Sequence, residues 1–416
     1  MSGVKVELMR ARTLAFSSIL LALAVLSLIL IPLPTTAIPQ TNSVDISNGK
    51  VVSFYESILD SSIDGMIRVL SDTGTEIVFR GYFKYRSASP SEFQQLRETI
   101  DGVKARLPWV QFIGGITASA FNPGDYWPNG TRVSAEQLKQ ILWLLPSGAF
   151  AHHYEDLDMY VMDITKPLAR QFILAYAYKL VDAGFDSLWF DEVTYIPWIL
   201  NEQDNPNPNY VAAWHQMVAA VKDYALTKYN KTLLVSMNGD WLKTSGARTP
   251  WPYQDFLTVS VNLDTVKSGK MQDDWAAYKA QVKRVYGYTP TILYFIDYTP
   301  LVALASQPTT AQIKLLKLFY ETSIREQVIP VFPLHYGLTY DAKWQGTYDT
   351  IKQLAGTIST VHTLTSVYTS TTTVTTTMPA KTSPPVTALD LGLVALVIAM
   401  GIALAVLKRN KKHRHP

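Results

Sequence analysis

The chain predicts an α/β protein built as a (β/α)8 TIM barrel, and three observations carry that prediction. From about Val51 to Ser359, strand-length apolar runs alternate with helix-period patterns almost without exception. Polar side chains collect where the proposed strands end and not where they begin, which is the asymmetry of a barrel with its chemistry at one face. The segment Gly184-Phe185-Asp186-Ser187-Leu188-Trp189-Phe190-Asp191-Glu192-Val193 reads as a tight turn, a strand with no polar face, and two carboxylates where the strand runs out.

Taken in order, a helix pattern over Tyr55–Leu70 precedes the first strand candidate and is expected against the barrel bottom. The strand candidates are Glu76–Phe83, Val110–Thr117, Met159–Ile164, Ser187–Asp191, Leu233–Asn238, Leu257–Asn262, Thr291–Asp297 and Val328–Pro333. Helix patterns follow them at Glu92–Ala105, Ala135–Leu144, Leu168–Asp182, Tyr210–Tyr229, Asp273–Val285, Ala311–Glu326 and Tyr348–Ile358. An open doubly wound sheet would want a Gly-rich phosphate turn after its first strand, and Arg80-Gly81-Tyr82-Phe83-Lys84 is not one.

The ends of the chain have a different character. Lys5, Arg10 and Arg12 precede an apolar run from Leu14 to Leu33, and Thr35-Thr36-Ala37 supplies small residues at a signal-peptidase spacing. A signal peptide over 1–37 and a linker over 38–50 are expected, with an uncleaved anchor as the alternative. Residues 51–359 form the barrel domain, and 360–387, rich in Thr and Ser with three prolines at its end, reads as an extended O-glycosylated stalk. Ala388–Leu407 is apolar apart from Asp390 and long enough to span a membrane. Residues 408–416 follow with five basic charges and no acid, which marks the cytoplasmic side. Asn129-Gly130-Thr131 and Asn230-Lys231-Thr232 are N-glycosylation sequons.

The whole chain carries a net charge of +3, but the tail supplies +5 and the N-terminal segment +2, leaving the exported part near −4. Nucleic acid is therefore not an expected partner. The absence of cysteine removes thiolate catalysis and Cys-based zinc sites. His152-His153 are adjacent, so their rings point apart on a strand or helix and suggest no metal site; no cofactor is expected.

The strand ends converge on one ring of candidates. Asp191 is the first choice for nucleophile or general base, because it shares strand parity with Trp189 and Ser187. The bland alternative is a carboxylate that caps the next turn. Its partner acid is Glu192, Asp240 or Asp297, although Glu192 faces away from Asp191 unless the strand has already ended. Substrate contacts are assigned to Arg80, Tyr82, Trp127, Asn238, Trp241, Asn262, Asp264, Tyr298 and His335. A buried Arg80 must be paired with a ring carboxylate, since a lone buried charge is very costly. Asn238-Gly239-Asp240-Trp241 places an amide, an acid and an indole together, or else forms a simple turn. Trp127 lies among Pro and Gly in a loop, where it can stack on a sugar or fold onto the barrel. Carboxylates outnumber cations in this ring, which suits a neutral polyhydroxyl substrate better than a phosphate.

Met162-Asp163-Ile164-Thr165-Lys166-Pro167, the helix after it and Gly184–Glu192 together resemble the third-to-fourth strand region of extracellular TIM-barrel glycoside hydrolases. The segment is similar to barrels whose fourth strand follows a Gly-Phe-Asp-Gly turn and ends in a catalytic Asp, as in the alpha-galactosaminidase-like and alpha-amylase-like groups. Ser187 stands where the last Gly is usual. The likeness covers about thirty residues closely and the remainder in strand order, and it implies a catalytic role for Asp191. Trp189 and Val193 occupy positions where a chitinase pattern needs acids, the paired Asn-Glu of the two-glutamate families is missing, and no Glu ends the seventh strand. The stalk, single anchor and basic stub resemble archaeal cell-surface proteins. The expectation is a cell-surface glycoside hydrolase that cleaves an extracellular or envelope polysaccharide with two carboxylates. The alternative is a non-catalytic barrel that binds glycans or belongs to the cell coat. A second carboxylate within roughly 10 Å of Asp191 separates the two.

Overall fold

The computed structural model describes residues 46, 50–84, 88–154, 158–193, 207–243, 254–271, 274–334 and 345–369. It divides into a unit over Met1–Thr363 and a second over Leu364–Pro416. In the first unit β1 (Val52–Phe54) is followed by α1 (Ile63–Thr73), β2 (Ile77–Phe79), α2 (Pro90–Lys104) and β3 (Gln111–Thr117). An insertion then contributes β4 (Ala120–Phe121), α3 (Ala135–Ile141), β5 (His152–Tyr154) and β6 (Met159–Val161). The chain continues with α4 (Pro167–Asp182), β7 (Ser187–Asp191), α5 (Pro208–Tyr229), β8 (Leu234–Asn238), β9 (Phe256–Ser260), α6 (Leu263–Ser268) and α7 (Trp275–Tyr286). It closes with β10 (Thr291–Phe295), α8 (Tyr298–Ala305), α9 (Thr309–Arg325), β11 (Ile329–Pro333) and α10 (Gln345–Thr369).

Eight parallel strands close a barrel in the order β1-β2-β3-β7-β8-β9-β10-β11, with β1 also paired to β11. The expected barrel is therefore present, but its strand list needs two corrections. Val52–Phe54 is the first barrel strand; it pairs with β2 and β11 and is followed, not preceded, by the helix that was expected at the barrel bottom. Its three residues are too few to show a period, and this hid it. Met159–Val161, expected as a barrel strand, instead lies in a separate three-stranded antiparallel sheet with β4 and β5. A three-residue apolar run carries no sign of which sheet it joins. The two errors offset each other, so β7 is still the fourth strand of the barrel.

Local chemistry sets the crossovers. Ser89 and Glu92 form a capping box on α2 with Pro90 in its first turn, and Ser134 and Gln137 do the same on α3. α4 starts after Lys166 without a side-chain cap, and Thr165 does not supply one. Instead Asp163 Oδ1 accepts from the Thr165 backbone N–H at 3.0 Å and its hydroxyl at 2.6 Å. α10 runs on to Thr369, into the segment read as extended stalk. Among the described residues no helix is long and apolar enough to cross a membrane. The signal segment 1–37 and the apolar span Ala388–Leu407 lie outside the described residues.

The barrel interior is filled by aromatic rings. Phe79 meets Trp189 at 5.4 Å and Phe295 at 5.2 Å between centroids, and Trp189 Nε1 donates to Thr258 Oγ1 at 2.8 Å. This packed layer is a floor with no room for a ligand, and it confines chemistry to the C-terminal rim. At the opposite end of β7, Gly184 takes φ 101°, a conformation open to glycine, and turns the chain into the strand. Asp186 follows and accepts from Lys104 Nζ, Lys231 Nζ and the Phe112 backbone N–H, each at 2.8 Å.

Candidate active site

Asp191 is the last residue of β7, paired in register with Thr117 of β3, and only 5% of its surface is exposed. Its Oδ1 accepts from the Glu192 backbone N–H at 2.9 Å and from Asn238 Nδ2 at 3.4 Å. Burial pushes its carboxyl well above the usual carboxylate range. The charge of Glu192 adds to that, Arg80 opposes it, Asp297 adds again and the Asn238 amide opposes. The result is a rim carboxyl that keeps its proton where an ordinary aspartate has lost it.

The strand has ended by Glu192. Its φ of 58° is a left-handed conformation that costs a non-glycine residue roughly 1–3 kcal/mol and is sustained by surrounding contacts. This kink breaks the alternation that would have turned the side chain away. Glu192 Oε2 accepts from Ser119 Oγ at 3.0 Å and lies 2.8 Å from His153 Nε2. Ser119 Oγ and His153 Nε2 are themselves 3.0 Å apart. The serine and the carboxylate thus share one ring nitrogen, whereas a Ser-His-Asp relay places them on opposite nitrogens. Ser119 is fully buried, and the arrangement is not a serine-nucleophile site.

Arg80 is a buried cation at the rim. It too is left-handed, at φ 55°, one residue past β2. Its guanidinium donates to Asp297 Oδ1 at 2.8 Å and to Glu56 Oε1 at 2.9 Å, and lies 3.8 Å above the Phe83 ring centroid. The pairing required of a buried arginine is therefore met twice. Glu56 was not among the sequence candidates, because it follows the strand that was missed; its position just past a strand end is the signal that would have found it. Burial raises its carboxyl above the usual value, against the opposing pull of Arg80. Asp297 also caps α8, accepting from the Tyr298 backbone N–H at 2.7 Å.

The remaining candidates separate from this cluster. Asp240 accepts from the Ser260 backbone N–H at 3.0 Å and hydroxyl at 2.6 Å, and pairs with Lys243 at 3.0 Å, which ties the ends of β8 and β9 together. Gly239 permits that junction: a Cβ there would lie 2.7 Å from Tyr278 Oη and 3.0 Å from the Thr258 carbonyl. The inward stripe expected at Asn262 and Asp264 is not formed, because β9 ends at Ser260. Asn262 is the exposed cap of α6 and accepts from Asp264 N at 2.8 Å. Trp127 folds onto α4 against Phe172, with centroids 5.3 Å apart. Trp241 is half-buried against the core, and Tyr298 is 48% exposed at the rim. His335 lies outside the described residues. Tyr82 is buried, and with Lys84 it lines a cavity of about 50 Å³ between β3 and helices α2 and α4. Asp191 and Glu192 are not part of that lining, so the cavity belongs to the layer between barrel and helices. Among the described residues no group of three or more acids and histidines could hold a metal ion.

No family model and no curated protein matches the chain. Among solved structures it is similar to a noncanonic maltogenic alpha-amylase from Thermotoga neapolitana, at 11% identity and TM-score 0.46 over 75% of this chain and 77% of that one. It is also similar to the cyclic alpha-maltosyl-(1→6)-maltose hydrolase from Arthrobacter globiformis, at 11% identity and TM-score 0.44 over 78% of each chain. A third likeness is to the glycoside hydrolase domain of a PelA variant from Pseudomonas aeruginosa, at 13% identity and TM-score 0.38 over 68% of this chain and 94% of that one. At such values these likenesses decide nothing about the reaction, which rests on the side chains.

Proposed function

We propose that this chain is a glycoside hydrolase that cleaves an extracellular or envelope polysaccharide with the Asp191–Glu192 pair. The observation that carries the reading is the unequal treatment of two adjacent acids at the end of one barrel strand. Asp191 is buried among like charges and keeps a proton. Glu192 accepts hydrogen bonds from two neighbours on one oxygen, which is the chemistry of a carboxylate. Glycosidic cleavage needs one group of each kind: an acid that protonates the leaving oxygen, and a carboxylate that attacks the sugar or activates water. The sequence favoured Asp191 as nucleophile or base; its raised pKa moves it to the acid's part and gives the carboxylate's part to Glu192. Arg80 stands behind Asp191, holding Asp297 and Glu56 in place and limiting the rise. Asn238 and the exposed ring of Tyr298 offer hydrogen bonding and stacking to a sugar.

The test is release of reducing ends from a panel of neutral polysaccharides by the full chain in detergent. Asp191→Asn and Glu192→Gln are each expected to lower the rate by about a thousandfold or more. A wild-type protein that binds a polysaccharide without cleaving any would support the glycan-binding alternative.

The same reading places the barrel outside the cell, tethered through 388–407 with 408–416 in the cytoplasm, on the strength of the apolar span and its basic flank. Protease added to intact cells should release a barrel-sized fragment. Loss of the basic tail instead would overturn the orientation.

A further inference from the structure

The antiparallel sheet inserted after β3 has no role in closing the barrel, yet it delivers a side chain to the rim. His153 lies on β5 with its side chain fully buried, and Ser119 sits in the link between β3 and β4, also fully buried. Glu192 reaches them from the end of β7. Three elements far apart in sequence thus meet in one closed triangle of contacts at 2.8, 3.0 and 3.0 Å. The insert is anchored at that place: the Ala118 backbone N–H donates to the Asp191 carbonyl at 3.1 Å, and Met162 N–H donates to the Ser119 carbonyl at 2.6 Å.

We propose that His153, assisted by Ser119, is a positioning residue that holds the Glu192 carboxylate beside Asp191. This makes the β4–β6–β5 insert part of the catalytic apparatus, and it rests on the reading of Glu192 given above. Proton placement follows from the contacts. A ring nitrogen 2.8 Å from a carboxylate oxygen must carry a hydrogen, since two lone pairs would otherwise face each other. His153 therefore donates through Nε2, and Ser119 donates to the same Oε2. The requirement for such a clamp is local. Glu192 sits on strained left-handed backbone, and a flexible glutamate there has several rotamers to choose from. Two buried donors converging on one oxygen select one rotamer before substrate arrives, which is how preorganisation raises a catalytic rate. The neighbouring histidine shows the division of labour within the strand. His152 is exposed and packs on Tyr160 with centroids 4.4 Å apart, whereas His153 on the other face serves the rim.

The test uses the full-length chain with His153→Phe, His153→Gln and Ser119→Ala. Phe keeps the ring and removes the donor. Gln places an amide N–H near the position of Nε2. His153→Phe should lower kcat by about 100-fold, the scale of a 1 Å misplacement, with KM changed less than about threefold. His153→Gln should recover most of that loss, and Ser119→Ala should lower kcat by about tenfold. A crystal structure of each variant reads the Glu192 side chain directly: held as in the wild type with Gln, turned away with Phe. If His153→Phe fails to fold, Ser119→Ala carries the test with the same two readouts. A His153→Phe protein, or failing that Ser119→Ala, with wild-type kcat and Glu192 unmoved overturns the proposal. A Glu192 side chain that turns away with Phe and stays with Gln, in a protein that cleaves no polysaccharide even as wild type, supports the clamp and overturns the hydrolase reading.

Discussion

Strand β7 carries a buried aspartate at each of its ends, and the structure treats the two in opposite ways. Asp186, just before the strand, has Lys104 and Lys231 on its two oxygens and the Phe112 backbone N–H as a third donor. Asp191, its last residue, has a backbone N–H, a long contact to an amide, and the like charges of Glu192 and Asp297 close by, opposed by Arg80. The first charge is neutralised where the barrel needs a closed bottom. The second is left energetically unsatisfied where a barrel does chemistry. Neutralised charge at the bottom of such a fold serves stability, and frustration at the top serves function.

Substituting the two aspartates should separate these roles. Asp191→Asn removes a group that already keeps its proton, so at acid pH folding should change by less than about 1 kcal/mol, while hydrolysis falls about a thousandfold or more. The pH dependence has a definite sign. A carboxyl raised in the folded state contributes stability that is fully present below the ordinary aspartate pKa, near about 3.9, and is lost as pH rises through the raised folded value. Asp191→Asn should therefore gain on the wild type as pH increases, which denaturant midpoints at acid and neutral pH would show. Asp186→Asn should cost stability and spare activity. It leaves Lys104 and Lys231 facing each other without their counter-ion, at a cost of about 3 kcal/mol, with the activity of the folded protein retained. Equal loss of activity from both variants would erase the contrast between the two ends.

Arg80→Gln sharpens the comparison by removing the guanidinium that holds Asp191 down. Asp191 would then lose its proton at still higher pH. The alkaline limb of the pH–rate profile, where the acid form disappears, should move upward. The rate at its optimum should fall about tenfold to a hundredfold, because Asp297 and Glu56 lose their common tether. An alkaline limb that stays in place would show that Asp191 is not the group it reports.

The contrast was only half legible in the sequence. An apolar run ending in acids marks a buried strand and its rim, so Asp191 could be located from local pattern alone. Its partners could not. Glu56 follows a three-residue strand that shows no period, and His153 reaches Glu192 from a sheet outside the barrel. The left-handed turns at Arg80 and Glu192 are invisible as well, because neither residue prefers that conformation and long-range contacts impose it. Strand parity misled where strands stopped early. Asn262 and Asp264 were read as continuing an inward stripe, but β9 stops at Ser260 and the next residues start a helix.

That last difference yields the smallest effect and a clean check on the strand ends. If Asn262 lined the substrate pocket, Asn262→Ala would raise KM by removing a sugar contact. As a cap, its side chain accepts the Asp264 backbone N–H at 2.8 Å on an exposed, six-residue helix. Removing it should lower stability by about 1 kcal/mol, with kcat and KM unchanged. Asn262→Ser restores an acceptor at the cap position and should recover most of that stability, whereas a pocket contact made by an amide would not be restored by a hydroxyl one bond shorter. A KM that rises in both variants at constant stability would return Asn262 to the pocket, and with it the longer strand β9.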